Sequence, residues 1–107
     1  MHVFEVLADP VRRRILELLG PGEMASGQVV EAIGAEFGIT QAAVSQHLKV
    51  LKEAGLVSDR PEGTRRVYYI DPHGLGALRG WLDQFWDQAL AAFQAEAEIS
   101  HKKDAER

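Results

Sequence analysis

The chain has 107 residues, 46% of them hydrophobic, which is enough for one domain with a single modest core. It contains no cysteine, and this excludes disulfides, thiolate metal ligands and cysteine nucleophiles. No apolar run approaches the ~20 residues of a membrane-spanning helix, and the N-terminal residues lack the basic and apolar regions of a signal peptide. We therefore expect a cytoplasmic protein with no membrane association.

The net charge of −4 is unevenly distributed along the chain. Residues 40–69 carry five Lys and Arg against three Asp and Glu, whereas both flanking parts contain more acids than bases. Local charge, rather than the total, determines where a polyanion can bind. The middle part of the chain is therefore the candidate surface for nucleic acid.

The first part of the chain predicts two helical segments. Residues 3–8 fit one or two helical turns, and Asp9-Pro10 then combines an N-cap residue with one suited to the first turn of a helix. The helix that starts there has apolar residues at helical spacing and ends at Gly20-Pro21-Gly22.

The next part predicts a helix-turn-helix. A helix begins near Ser26, the expected N-cap, and continues to Phe37. Gly38-Ile39-Thr40 follows as a sharp turn, with Thr40 as the cap of a second helix. That helix runs from residue 41 to about residue 54 and ends at Gly55, a residue typical of the position after a helix.

The last part predicts a hairpin and a long helix. Residues 56–60 and 65–70 are rich in β-formers or alternate in polarity, and Pro61-Glu62-Gly63-Thr64 joins them as a turn. Asp71-Pro72 then starts a long helix with one broad apolar face. The expected domain covers residues 1–98, including this helix, and residues 99–107 are expected to form a polar, frayed tail.

The second helix of the helix-turn-helix has an outer face suited to the DNA major groove. Its apolar residues cluster on one side, and the opposite side begins with small and amide side chains and continues with lysines. The N-terminal residues of such a helix contact base edges, where Gln pairs with adenine and Ala42 can touch a thymine methyl. Lysines farther along contact phosphates. An ordinary solvated face is the alternative, which the preceding turn disfavours.

Two features of this region have two interpretations each. His47 falls on the apolar side of its helix, either as a half-buried histidine with one hydrogen-bond partner or as a phosphate contact. The hairpin arginines contact the neighbouring minor groove or backbone, or else Arg65 or Arg66 pairs with Glu62 or Asp59 across the hairpin. The candidate DNA-binding residues are Thr40, Gln41, Ala42, Ser45, Gln46, Lys49, Lys52, Arg60, Thr64, Arg65 and Arg66.

The long last helix presents more apolar surface than one small domain readily covers, which is typical of an interface. Gly76 and Gly80 each weaken it by roughly 1 kcal/mol relative to Ala, and the close approach of another backbone would explain both. We expect this helix to pack on its own domain with one side and on a second copy with another. The alternative is a monomer in which it closes its own core.

Three stretches of the chain resemble the ArsR/SmtB family of bacterial winged-helix repressors: residues 7–16, residues 40–51, and residues 54–57 leading to residues 63–69. With the matching order of elements, the resemblance covers roughly residues 3–95. It implies a homodimeric repressor that binds an inverted-repeat operator, often in its own promoter, with the terminal helices at the dimer interface. The interface residues implied here are Val3, Phe4, Leu7, Leu78, Trp81, Leu82, Phe85, Trp86 and Ala89.

Many members of that family sense metals through a cysteine motif, which this chain lacks. Its zinc sensors use a site on the last helix with two residues from each subunit, and Asp71-Pro72-His73 matches the first part of that site. The later positions hold Gln84 and Asp87, and Gln is a poor zinc ligand. We therefore expect no metal and no cofactor, with Asp71 as a helix cap. A degenerate zinc site at Asp71, His73 and Asp87 is the alternative.

These patterns together predict a mainly α fold with a two-stranded β-wing, that is, a winged helix-turn-helix that dimerises through its terminal helices. No nucleophile triad or Gly-rich phosphate loop is present in the sequence, so we expect no enzyme. The predicted function is sequence-specific transcriptional regulation by a homodimeric repressor that binds double-stranded DNA at a palindromic operator and that can regulate its own gene. No residue identifies an effector. Two alternatives stay open: a zinc-responsive repressor, and a winged-helix module that binds protein instead of DNA.

Overall fold

The computed structural model describes the backbone of residues 3–105 and the side chains of residues 3–99. Its contacts divide the chain into two units, with the boundary between Leu75 and Gly76. The elements in chain order are α1 (Val3–Leu7), α2 (Pro10–Leu19), β1 (Met24–Ala25), α3 (Ser26–Phe37), α4 (Gln41–Glu53), β2 (Val57–Glu62), β3 (Arg65–Ile70) and α5 (Pro72–Ala105).

Short-range hydrogen bonds determine where the helices begin. Asp9 caps α2 as predicted, because its Oδ1 accepts from the N–H of Val11 at 2.8 Å. The expectation that Ser26 caps α3 is wrong. The N-cap is Ala25, whose N–H donates to Oε1 of Gln28 at 3.0 Å, and Ser26 is already the first residue of the helix. The glutamine side chain therefore satisfies one N–H at the start of α3, and the N-cap residue itself contributes no side-chain bond.

Helix α4 begins and ends at the residues that the sequence indicates. Gly38 has a φ of 66°, which allows the sharp turn before the helix. At the other end, Gly55 has a φ of 77° and its N–H donates to the Lys52 carbonyl at 3.0 Å. The N–H of Leu56 donates to the Leu51 carbonyl, also at 3.0 Å. This pair of bonds is a Schellman motif, and it turns the chain directly into β2.

The core of the first unit orients α4. Its Val44, Leu48 and Leu51 are each at most 2% exposed and pack with Ile15, Ile33 and other buried residues of α2 and α3. Burying a side chain of this size contributes roughly 1.5–3 kcal/mol relative to leaving it in water. Because this face of α4 is fixed in the core, the opposite face points to solvent.

The hairpin wing forms as predicted, and it belongs to a three-stranded antiparallel sheet in the order β1-β3-β2. Strand β1 pairs through Met24 with Tyr68, a contact that the sequence analysis did not anticipate. Glu62 pairs with Arg65, so the connecting loop contains only Gly63 and Thr64. The predicted four-residue turn is therefore too long by Pro61 and Glu62, which belong to β2.

Helix α5 continues through Ala105, beyond the expected start of a tail at residue 99. The division of the chain at residue 98 stays a prediction, and residues 106–107 lie outside the described range. The apolar face of α5 is exposed, including Trp81, Leu82, Phe85 and Trp86. Among the described residues, no helix is both long enough and apolar enough to cross a membrane.

Candidate nucleic-acid interface

The outer face of α4 presents polar side chains that are available for a ligand. Gln41, Ala42, Ser45, Gln46 and Lys49 are all exposed. Within residues 3–99, no side chain donates to or accepts from the polar groups of these five residues. Their hydrogen-bonding capacity is therefore directed at solvent, as binding to base edges and phosphates requires.

Thr40 differs from its neighbours because its hydroxyl serves the helix. Its Oγ1 accepts a hydrogen bond from the N–H of Ala43 at 3.1 Å, which makes it the N-cap of α4. The residue is exposed, so its hydroxyl remains accessible as a donor. The structure thus gives Thr40 a structural role and leaves its predicted DNA contact untested.

Arg12 connects α4 to the N-terminal helices. Its Nε donates to the carbonyl oxygen of Val6 at 2.7 Å, and its Nη1 lies 3.4 Å from Nδ1 of His47. His47 is half-buried, so its interpretation as a half-buried histidine with a hydrogen-bond partner is confirmed. No sequence pattern indicated this role of Arg12, although helical spacing placed His47 on the apolar side of the helix.

Asp9 belongs to the same cluster and lies 3.8 Å from the Arg12 guanidinium. Burial raises the pKa of Asp9, but the hydrogen bonds from the N–H groups of Val11 and Arg12, with the charges of His47 and Arg12, outweigh it. The pKa of this carboxyl is therefore held below its ordinary value. A stable negative charge at this point compensates the Arg12 guanidinium, which contacts the inner side of α4.

The arginines of the wing are paired with carboxylates of the same chain. Arg66 Nε lies 2.7 Å from Oδ2 of Asp59, and Arg65 lies 3.3 Å from Glu62, so the cross-hairpin pairing that the sequence suggested as an alternative is present. Arg60 pairs with Glu23 at 2.6 Å, a partner from the segment before β1 that sequence reasoning missed. Thr64 is exposed in the loop between the strands.

Lys52 is the second lysine of the outer face of α4, and it is also paired. Its Nζ lies 2.8 Å from Oδ1 of Asp59, whose side chain is only 6% exposed. The hydrogen bond from Lys52 lowers the pKa of Asp59, and the bond and charge of Arg66 add to this effect against the opposing influence of burial. Asp59 therefore stays ionised and joins α4 to the wing.

Asp71, one residue of the alternative zinc site, has another function in this structure. Asp71 Oδ1 accepts from the N–H of His73 at 2.9 Å, in the first turn of α5, as expected for a cap. Ser58 donates its hydroxyl to Oδ2 of Asp71 at 3.4 Å. Among the described residues, no three His, Cys, Asp or Glu side chains come together as a metal site.

A helix-turn-helix followed by a β-hairpin defines a winged helix-turn-helix protein, and comparison with known proteins identifies the family. Residues 7–60 match the family model described as a helix-turn-helix domain. The chain is 51% identical to the HTH-type transcriptional regulator Rv2034 of Mycobacterium tuberculosis over 92 residues, which cover 86% of this chain and 82% of the relative. It is 34% identical to the transcriptional repressor SdpR of Bacillus subtilis, over 78% of this chain and 89% of SdpR.

Solved structures give the same result. A possible transcriptional regulator for arsenical resistance is 45% identical and superposes with a TM-score of 0.63, covering 81% of this chain and 91% of that one. The homodimeric winged helix-turn-helix DNA-binding domain of Mb0332 from Mycobacterium bovis, described as a possible ArsR-family regulator, is 37% identical with a TM-score of 0.57, over 80% and 76% of the two chains.

The chain belongs to the ArsR family of winged helix-turn-helix transcriptional regulators. The predicted fold class and family are thereby confirmed. The family consists of DNA-binding regulators, which agrees with the expectation that the protein is not an enzyme.

Proposed function

We propose that this protein is a homodimeric repressor that recognises an inverted-repeat operator with α4 and contacts the flanking backbone with its wing. The observation that supports it best is the outer face of α4, where exposed side chains that have no side-chain partner among residues 3–99 occupy the N-terminal half of the helix. In winged and unwinged helix-turn-helix proteins this part of the recognition helix faces base edges. Gln41 and Gln46 then supply bidentate contacts, and Ala42 and Ser45 leave room for them.

The proposed phosphate contacts come from the cations of α4 and of the wing. Lys49 has no carboxylate partner within residues 3–99, so its ammonium group is the cation of α4 that is most available to a phosphate. Lys52, Arg60, Arg65 and Arg66 have carboxylate partners, but their side chains remain between 43% and 61% exposed. The pairs of Arg60 and Arg65 with exposed carboxylates contribute little, so these two cations can bind phosphates at small cost. Lys52 and Arg66 share the shielded carboxylate of Asp59 and keep donors that this pairing does not use.

The proposed dimer forms through the terminal helices. The aromatic side chains of α5 that are predicted at the interface are 44–64% exposed in the single chain. A second copy is the occupant we propose for this face, and the homodimeric state of the Mycobacterium bovis relative supports it. A twofold axis places two copies of α4 about one turn of DNA apart, which corresponds to a palindromic operator. The upstream region of the protein's own gene is the first candidate operator.

Selection of bound duplexes from a random pool by the purified protein tests this proposal. We expect enrichment of an inverted repeat with half-sites separated by about one helical turn. Fluorescence anisotropy on the enriched duplex and on the upstream DNA, across a salt series, should give log affinity falling by about 0.9 per phosphate contact for each unit of log salt. Enrichment of no sequence, with binding insensitive to salt, would contradict the proposal.

A further inference from the structure

Asp59 occupies the junction between the two DNA-facing parts of the first unit. It lies on β2 opposite Tyr68, and its two carboxylate oxygens have different partners. Oδ1 accepts from Lys52 of α4 at 2.8 Å, and Oδ2 accepts from Nε of Arg66 of β3 at 2.7 Å. One side chain therefore connects the recognition helix to the wing.

The burial of Asp59 distinguishes it from the other acids of the wing. Its side chain is 6% exposed, whereas those of Glu62 and Glu23 are 48% and 49% exposed. Hydrogen bonds from charged donors to a shielded carboxylate are the stronger kind, while solvated pairs such as Glu62 with Arg65 fix little. Of these three carboxylates, Asp59 is the one that can hold its partners in a defined geometry.

The bonds to Asp59 do not exhaust the donors of its partners. A lysine ammonium group has three N–H donors and an arginine guanidinium has five. Lys52 donates through its single ammonium nitrogen and Arg66 through Nε, which leaves both Nη groups of Arg66 available. The two side chains are 51% and 52% exposed. Their remaining donors can therefore reach a phosphate while Asp59 holds the other end.

We infer that Asp59 is a positioning residue for DNA recognition, which sets the separation between the cations of Lys52 and Arg66 and so determines the register in which α4 enters the groove. The inference rests on the proposed function, because it deepens the role of the same surface. It has a second consequence. Asp59 neutralises part of the charge of both cations, so it lowers affinity for any duplex while favouring the one whose phosphates match the fixed separation.

These two effects have opposite signs, and the variant Asp59→Asn exposes them together. We expect its affinity for a random-sequence duplex to rise at least about fivefold, since one charge pair at contact distance in water is worth roughly 1 kcal/mol and Asp59 partly neutralises two cations. The dependence of that affinity on salt should steepen by about 0.9 for each additional phosphate neutralised. The ratio of affinities for the selected operator and the random duplex should fall about tenfold, because hydrogen bonds to charged groups that fix the register are lost.

Glu62→Gln is the matched control, because it removes the same charge from the same wing at an exposed position. It should raise both affinities by a similar factor and leave the ratio unchanged. Asp59→Glu retains the charge and alters the reach, so it should lower the ratio without steepening the salt dependence. Circular dichroism of each variant at the assay temperature verifies the fold.

The outcomes separate the inference from the function on which it rests. If the wild-type protein does not distinguish the selected duplex from random DNA, the proposed function itself fails. If the wild-type protein does distinguish them, and Asp59→Asn changes the ratio of operator to random-duplex affinity no more than Glu62→Gln does, the inference is overturned. If Asp59→Asn does not fold, Asp59→Glu provides the test instead. An affinity ratio in Asp59→Glu equal to that of the wild type then overturns the inference.

Discussion

The hydroxyl of Thr40 accepts a hydrogen bond from the N–H of Ala43 at 3.1 Å, and this bond defines the first turn of the recognition helix. The side chains proposed to contact bases follow immediately, at positions 41, 42, 45 and 46. A change in the cap therefore alters the backbone that presents them.

Thr40→Ala should lower the free energy of unfolding by about 1 kcal/mol, the usual cost of losing an N-cap. Thr40→Ser retains the hydroxyl and should restore most of it. Urea denaturation at fixed protein concentration measures both. Thr64→Ala, at an exposed residue of the wing loop, is the matched control and should change stability by less than about 0.5 kcal/mol. An equal loss in both alanine variants would argue against the capping role.

Gln41 and Lys49 test the division between base and phosphate contacts on one helix. Gln41→Ala should cost ~1–3 kcal/mol on the selected operator and little on random DNA, because a base-specific pair is lost. Lys49→Ala should weaken both duplexes alike and reduce the salt dependence by about one phosphate contact. Anisotropy titrations provide both comparisons. If Gln41→Ala weakens the two duplexes equally, Gln41 does not contact bases.

Local interactions explain why much of the fold could be predicted from the sequence. Asp9 and Thr40 cap helices through bonds to N–H groups two or three residues away, and Gly55 ends α4 through bonds to its last turn. The same logic failed at Ser26 because α3 begins one residue earlier, with Ala25 as the N-cap and its N–H bonded to Gln28. Short-range chemistry is thus visible in the sequence except where an apolar residue occupies the cap and a later side chain bonds to its N–H.

The remaining features depend on contacts between distant residues. Strand β1 has two residues, too few to show alternation, and it exists because β3 pairs with it. The sequence suggested that Asp59 could pair with a wing arginine, but its second bond to Lys52 depends on how α4 lies against β2. The outer face of α4 was predictable because helical spacing places its residues, whereas the pairing of the wing cations required the folded geometry.

Gly74 is required by the first turn of α5. The N–H of Asp71 donates to the Leu56 carbonyl at 3.0 Å, which holds this turn against the end of α4. A Cβ on Gly74 would overlap the backbone carbonyl of Gly55, and neither backbone can move freely. Gly74→Ala should therefore lower the free energy of unfolding by ~1–3 kcal/mol.

Gly27→Ala is the control for that substitution, because a Cβ on Gly27 of α3 would have no heavy atom within 4 Å. Its stability should be unchanged or higher by up to ~1 kcal/mol, since alanine is the better helix former. Thermal and urea unfolding of the two variants side by side give the difference. A Gly74→Ala protein as stable as Gly27→Ala would show that α5 does not begin in this close contact.

Trp86→Glu tests the proposed dimer. Trp86 is 64% exposed in the single chain, so a charge there should leave the fold of one subunit intact. At the centre of an apolar interface it should cost roughly 2 kcal/mol or more of association free energy, which sedimentation velocity would show as a shift to monomer. Operator affinity should fall with it. Gln84→Glu adds a similar charge to the same helix outside the apolar face. An equal loss of dimer in Gln84→Glu would exclude the apolar face as the interface.

The acid sensitivity of the protein should depend on Asp59. Hydrogen bonding from Lys52, with that from Arg66, lowers its pKa in the folded state below the ordinary value of 3.8. Between the folded and unfolded values the unfolded chain binds more protons, so stability rises with pH in that window. The contribution of Asp59 is thus complete above about pH 5 and is lost as the pH falls through the folded pKa. The urea midpoint of Asp59→Asn should lie below that of the wild type by a constant amount from pH 7 to about pH 5, and this difference should shrink below about pH 4. A difference that stays constant down to about pH 3 would contradict the assignment.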